Sequence, residues 1–266
     1  MTFEKIKLER EGEVAVIIFN EPARLNPLSL TMQKEIRGLL KEFVSGNEIR
    51  AVVLTGEGKA FCVGADLNAM DYDAGKGATR GDRIAEGMHE NSNMLIKDIH
   101  GAPLPVISAI NGPCAGAGVG LALAADIVLM AQSSYIFLPF MPRLGIVPDL
   151  GTTWFLERMV GRNRAVALSL LGERVPAAEA VRLGLAWAVH DDASLRAEAI
   201  KVARRLARLP AHAIVETRKA VDAASRHTLD EQLSYEAETQ RVLLNKPEFE
   251  EGVKAFQEKR DPVFKR

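Results

Sequence analysis

Residues 105–130 constrain the fold more than any other stretch of this chain. They read Pro-Val-Ile-Ser-Ala-Ile-Asn-Gly-Pro-Cys-Ala-Gly-Ala-Gly-Val-Gly-Leu-Ala-Leu-Ala-Ala-Asp-Ile-Val-Leu-Met. An apolar run from Val106 to Ile110 stops at Asn111, Gly112 and Pro113, residue types that mark turns. Gly116, Gly118 and Gly120 then lead into an alanine- and leucine-rich run that ends at Ala125. The order predicts a buried strand, a tight turn and a buried helix. Small residues at a helix start let other groups approach the backbone closely. The first amides of a helix have no acceptor within it, and with the helix dipole they favour an anion or a developing oxyanion. Close packing is the plainer use of the same glycines, and a Gly-x-Gly string alone does not choose between the two.

The cluster has neither a Gly-Lys-Ser/Thr nor the spacing of a dinucleotide fingerprint. A second stretch, Lys59 to Leu67, follows the apolar strand predicted over 51–55 and reads Lys-Ala-Phe-Cys-Val-Gly-Ala-Asp-Leu. Two loops at strand ends, each with an amide beside a small residue, suit a carbonyl oxygen that gains charge during reaction. Four separated motifs, at 21–26, 61–67, 111–120 and 145–148, together resemble the crotonase (enoyl-CoA hydratase/isomerase) superfamily, with similarity running from about Val14 to Phe264. That resemblance implies an α/β fold, a spiral of repeated ββα turns forming two sheets, followed by a C-terminal helical trimerisation region. It divides the chain into a core at 1–195 and an oligomerisation region at 196–266, and implies a homotrimer or a pair of stacked trimers. It also implies that the amides of Ala65 and Ala117 form an oxyanion hole for an acyl-CoA thioester. Periodicity alone gives strands alternating with helices, which a doubly wound sheet would satisfy equally well.

Fold does not name the reaction, because the family hosts several. In its hydratases two glutamates share a water, and the aligned positions here hold Gly120 and Met141, so ordinary hydration is not expected. Asp149, in Val-Pro-Asp-Leu-Gly at 147–151, stands just ahead of a predicted helix. It reads either as a helix cap or as a single acid–base. Its surroundings resemble the isomerase branch that shifts enoyl-CoA double bonds or rearranges the ring epoxide of phenylacetyl-CoA, and so imply the catalytic role. Phe140, Met141, Val147 and Leu150 would raise its pKa by desolvation. The acyl pocket is expected to comprise Gly120, Phe140, Met141 and Leu150. Coenzyme A is expected to meet Arg24, Leu25, Ala60, Ala65, Asp66 and Leu67. It enters as part of the substrate, and no permanently bound cofactor or metal is expected. A dehalogenase-like site would need a histidine base, for which His89 is the candidate; a catalytically weak acyl-CoA-binding protein is a further reading.

The remaining elements follow from pattern. Residues 3–10 alternate and 14–19 are apolar, predicting two strands about the Gly12 turn. Ser29 is placed to cap a helix with Met32, Ile36, Leu39, Leu40 and Phe43 on one face. Residues 71–86 are polar and glycine-rich, either a surface insertion or a lid over the acyl site. Helical periodicity resumes at Met88. The segments 229–244 and 250–259 are helical, highly charged and striped with apolar residues, so they are expected to pack on the body or another subunit. With 34 basic against 35 acidic residues, nothing favours nucleic acid or an anionic membrane surface. Helix 29–45, which carries both signs, does not suit RNA. Cys62 and Cys114 suggest a reducing compartment and small buried filler. The first residues have no signal-peptide character, and the longest apolar run is too short to span a bilayer, so a cytoplasmic location is expected.

Overall fold

The computed structural model of the chain describes residues 3–67 and 79–264. The order begins β1 (Ile6–Glu11), β2 (Val14–Phe19), α1 (Leu30–Ser45), β3 (Ala51–Gly56), α2 (Arg80–Gly87) and α3 (Asn93–His100). It continues β4 (Val106–Ile110), β5 (Pro113–Ala115), α4 (Ala117–Leu123), β6 (Ile127–Ala131), β7 (Tyr135–Phe137) and α5 (Thr152–Leu171). β8 (Arg174–Pro176), α6 (Ala177–Leu183) and β9 (Ala188–His190) precede the helices α7 (Leu195–Ala207), α8 (Ala211–Ala224), α9 (Leu229–Leu243) and α10 (Pro247–Gln257).

The large sheet runs β1-β2-β3-β4-β6-β9 and the small one β5-β7-β8. Only the β1–β2 pair of the large sheet is antiparallel; β2, β3, β4, β6 and β9 run parallel. A large-sheet strand, a small-sheet strand and a helix recur as β4–β5–α4 and β6–β7–α5, which is the expected ββα spiral. β2 is apolar at every position because both of its faces are covered. Ala15, Ile17 and Phe19 join the core that includes Met32, Ile36 and Leu39 of α1. Val14, Val16 and Ile18 face Leu195, Ala199, Ala203 and Ala207 of α7, whose four-residue spacing makes one narrow, small stripe that lies close on the sheet. The expected division at 195/196 falls at the first residue of this helix.

α1 is built as its sequence predicts. The Ser29 hydroxyl accepts from the Met32 amide at 3.2 Å, and Met32, Ile36, Leu39, Leu40 and Phe43 are all buried. Of the polar stretch at 71–86, residues 71–78 lie outside the described residues. The rest is helical earlier than periodicity suggests: Thr79 caps α2 in a reciprocal box with Asp82, and a wide turn at Met88–Ser92 joins it to α3. The small-sheet strands β5 and β8 have three residues each and contain proline, too short to carry a period-two signal.

The C-terminal helices sit differently. α8 is held by Arg218, which donates to the carbonyls of Ala102 (2.5 Å) and Leu104 (3.1 Å) and pairs with Asp126 at 2.8 Å. α9 buries no residue and α10 only Ala255. Leu229, Leu233, Val253 and Phe256 face outward, Phe256 being 85% exposed. No helix among the described residues is long and apolar enough to cross a membrane.

Candidate active site

The two glycine-bearing loops meet backbone to backbone. β3 ends at Gly56 and β4 at Ile110, and the chain beyond each converges. The Ala115 amide donates to the Cys62 carbonyl (2.9 Å), the Phe61 amide to the Pro113 carbonyl (3.1 Å), and the Leu28 amide to the Gly64 carbonyl (2.8 Å). Gly64 has φ +101°, and a Cβ there would stand 3.1 Å from the Ala115 carbonyl and 3.2 Å from the Ala117 amide nitrogen. Glycine is therefore required for the loops to touch. The approach sets the segment ending in Ala65 against the first turn of α4, which opens at Ala117. Neither the Ala65 nor the Ala117 amide has a backbone acceptor among the described residues.

Two asparagines hold this arrangement from behind. Asn26, fully buried, accepts from the Glu21 amide (2.8 Å) and donates to the carbonyls of Glu57 (3.0 Å) and Ala60 (2.8 Å). Asn111 accepts from the Gly56 amide (3.0 Å) and donates to the Gly58 and Ala60 carbonyls (3.1 and 3.3 Å). The motifs at 21–26 and 111–120 thus brace the first loop. That role could have been read from the sequence only by asking where the turn's carbonyls find donors.

A cavity of about 240 Å³ opens in front of the loops. Ala65, Asp66, Ala117, Asp149 and Leu150 all line it, together with Leu28, Ser29 and Leu30 of the α1 approach and Ile84, Gly87 and Met88 of the helical segment at 80–92. Gln33, Asn91 and Ser92 add a polar wall, with the Ser92 hydroxyl donating to Gln33 Oε1 at 2.9 Å. Sequence reasoning missed these three. Gln33 carried a signal, being a polar residue between Met32 and Ile36 on the buried face of α1.

Asp149 is the acid of this cavity whose carboxyl is left uncompensated. The residue at the cap position of α5 is Gly151, and no side chain bonds there. The Asp149 carboxyl therefore does not cap the helix. Its Oδ1 is buried with no hydrogen-bond partner among the described residues. Burial pushes the carboxyl up to about 6, opposed only by its own backbone amide. The one other titratable side chain lining the described part of the cavity is Asp66, which Arg24 holds in a two-pronged ion pair (2.9 and 2.5 Å). Asp149 thus has the character of a base near neutral pH, and Asp66 that of a counter-ion.

The structure does not bring every expected residue to the cavity. Of the four assigned to the acyl pocket, only Leu150 lines it. Phe140 is buried in the core, and Met141 lies in the exposed turn Phe140–Leu144, 47% exposed. Gly120 sits behind Leu150, in contact with its backbone. Among the residues assigned to coenzyme A, Leu25 and Leu67 are exposed, and Arg24 is half exposed at the rim beside Asp66. Ala60 is fully buried, and its carbonyl accepts from Asn26 and Asn111. His89 is exposed and outside the lining, which leaves a dehalogenase-like pair without its histidine. Cys62 and Cys114 are buried; desolvation pushes the Cys62 thiol up to about 12 and raises that of Cys114, as suits inert filler.

The comparisons with known proteins agree with this fold. The family model for enoyl-CoA hydratase/isomerase matches residues 9–266. A probable enoyl-CoA hydratase from Rhodobacter capsulatus is 40% identical over 264 residues, 99% of each chain. The 1,2-epoxyphenylacetyl-CoA isomerase of Escherichia coli is 38% identical over 254 residues, 96% of this chain and 95% of its own. A crystal structure of enoyl-CoA hydratase from Bacillus anthracis has a TM-score of 0.89 at 30% identity, covering 98% of this chain and 99% of its own. One from Geobacillus kaustophilus also gives 0.89, at 31% identity over 99% and 98%. The chain has the crotonase fold and belongs to the enoyl-CoA hydratase/isomerase family.

Proposed function

We propose that the chain is an acyl-CoA isomerase in which Asp149 shuttles a proton while the amides of Ala65 and Ala117 hold the thioester oxygen. The observation that carries this is the Asp149 carboxylate: of the two acids among the described residues that share a cavity with both amide-bearing residues, it is the one without an ion-pair partner. Asp149 takes a proton from one carbon of the acyl group. The electron pair moves into the thioester carbonyl, the two amides stabilise the resulting enolate oxygen, and the proton returns to a different carbon. No atom is gained or lost, so no second acid or water is needed. Each amide donor is worth about 3–4 kcal/mol in such a hole. A carboxyl that titrates near 6 is ionised at neutral pH and still a stronger base than an ordinary one. The acyl group is an unsaturated or ring-epoxide acyl carried on coenzyme A, with Arg24, Leu25, Asp66 and Leu67 at the rim on the coenzyme side.

Hydration is the second reading, favoured by the name of the Rhodobacter relative. Against it stands the lack of a second free acid: among the described residues the cavity is lined by Asp149 and by Asp66, which Arg24 holds in an ion pair. Assayed side by side, isomerisation of a β,γ-unsaturated acyl-CoA should exceed hydration of crotonyl-CoA by at least a hundred-fold. Faster hydration would sink the isomerase reading. The outward apolar residues of α9 and α10 support assembly into a trimer or a pair of stacked trimers, which sedimentation at micromolar concentration reads directly; a monomer would refute it.

A further inference from the structure

Gly120 does not line the cavity, yet another part of the chain approaches it too closely for any side chain to fit. A Cβ there would stand 2.4 Å from the Leu150 carbonyl oxygen, 2.9 Å from Thr152 Oγ1 and 3.0 Å from Leu150 Cβ. The residues it would strike belong to the turn that carries Asp149. Leu150 takes a left-handed conformation with φ +50°, uncommon for leucine, and Gly151 follows at φ +74°. The Thr152 amide closes the turn on the Asp149 carbonyl at 2.9 Å, and the fully buried Thr152 hydroxyl has no partner among the described residues. The turn is thus pressed onto one spot of α4. That spot lies three residues after Ala117, on the same face of the helix.

From this contact we infer that Gly120 is a positioning residue: it seats the 149–152 turn on α4, so that one helix face fixes both the Ala117 amide and the Asp149 carboxylate. The inference rests on the proposed isomerase chemistry for its catalytic consequence, but the seating itself does not. A group on rigid secondary structure holds its distance to a second group on the same element better than one on a free loop. Here the loop acquires that rigidity through the glycine. The absent side chain at position 120 then has a use of its own.

Gly120→Ala tests this. Alanine favours the helix, so α4 itself is not weakened, but its methyl cannot coexist with the Leu150 carbonyl and the turn must lift. Three readouts separate the outcomes: kcat on a β,γ-unsaturated acyl-CoA, the dissociation constant for coenzyme A, and the titration of the Asp149 carboxyl by carbon-13 NMR, assigned by its loss in Asp149→Asn. A displacement of about 1 Å lowers kcat about a hundred-fold. Coenzyme A binding should stay within about two-fold. The carboxyl, now reached by water, should fall from about 6 toward the ordinary value near 4, and the acid limb of the rate profile should fall with it. Asp66, the other acid lining the described cavity, stays paired with Arg24, and its signal persists in Asp149→Asn. A folded variant with wild-type kcat and a carboxyl still near 6 would overturn the inference. So would a lowered kcat with an unmoved carboxyl, since the helix rather than the turn would then have shifted. Should Gly120→Ala not fold, hydrogen exchange of the wild-type Thr152 amide, which is bonded to the Asp149 carbonyl, tests the seating without a variant. Protection like that of the α4 amides is expected, and exchange as fast as in a free loop overturns the seating. The NMR titration needs no turnover, so a wild-type protein without isomerase activity would refute the proposed function while leaving this test intact.

Discussion

Two aspartates at opposite ends of the large sheet are both pushed up by desolvation, and they are treated in opposite ways. Asp126 stands at the starts of β4 and β6. Its Oδ2 accepts from the Val106 amide at 2.8 Å, its Oδ1 pairs with Arg218 at 2.8 Å, and Arg218 partly offsets the cost of burial. Asp149 stands beyond the strand ends that feed the two glycine loops. Among the described residues it has no cation beside it, it caps no helix, and one buried oxygen has no partner. The fold satisfies the acid it uses for structure and leaves bare the acid at the cavity. Desolvation alone therefore does not separate the two acids; compensation does, and the uncompensated one is the acid that the proposed chemistry uses.

Removing the compensation sharpens the contrast most. Arg218→Ala would leave Asp126 without its counter-ion and the Ala102 and Leu104 carbonyls without their donor. Breaking such a pair costs about 3 kcal/mol when the partners keep some contact with water, so chemical denaturation should show a loss of that order. The acid limb of the rate of the proposed isomerisation should stay where it was, because Asp126 does not line the cavity. A limb that moved would mean that the two acids are coupled and the comparison false.

A smaller effect of opposite sign is expected at the other acid. Asp149 titrates near 4 in the unfolded chain and at about 6 when folded. The folded state therefore binds the extra proton between those values, and stability falls as pH rises through that window. Above pH 6 the whole cost is present, roughly 1–3 kcal/mol. Asp149→Asn carries no charge to desolvate. It should be more stable than wild type by that amount at pH 8 and equal to it below pH 4, as thermal unfolding at the two pH values will show. Equal stability at pH 8 would indicate a carboxylate that is solvated or paired.

The sequence revealed one side of this contrast and concealed the other. The glycine strings at 61–67 and 111–120 and the aspartate at 149 announce themselves by residue type, and the alternation and helical stripes of β2 and α1 place them on a framework. What stayed hidden depends on which backbone touches which. The proline-bearing strands β5 and β8 have too few residues for a pattern. The bonds of Asn26 and Asn111 go to carbonyls more than 30 residues away in the case of Asn26 and more than 50 in the case of Asn111. Alignment with a family glutamate assigns Met141 to the pocket, and apolar character ahead of Asp149 assigns Phe140; the turn they occupy directs Phe140 into the core and leaves Met141 exposed. Gly120 looked like an absence, and only the Leu150 carbonyl 2.4 Å from its missing Cβ shows why.

The central claim is that Asp149 moves the substrate proton. The most direct measurement is deuterium uptake from heavy water at the α- or γ-carbon of a bound acyl-CoA, compared at saturating ligand between wild type and Asp149→Asn. Asparagine keeps the size of the side chain and leaves the Ala65 and Ala117 amides in place, but it cannot accept the proton. General acid–base catalysis contributes about a hundred- to ten-thousand-fold, so exchange should slow by that factor while acyl-CoA binding is retained. A variant that exchanges as fast as wild type would contradict the account and place the base elsewhere.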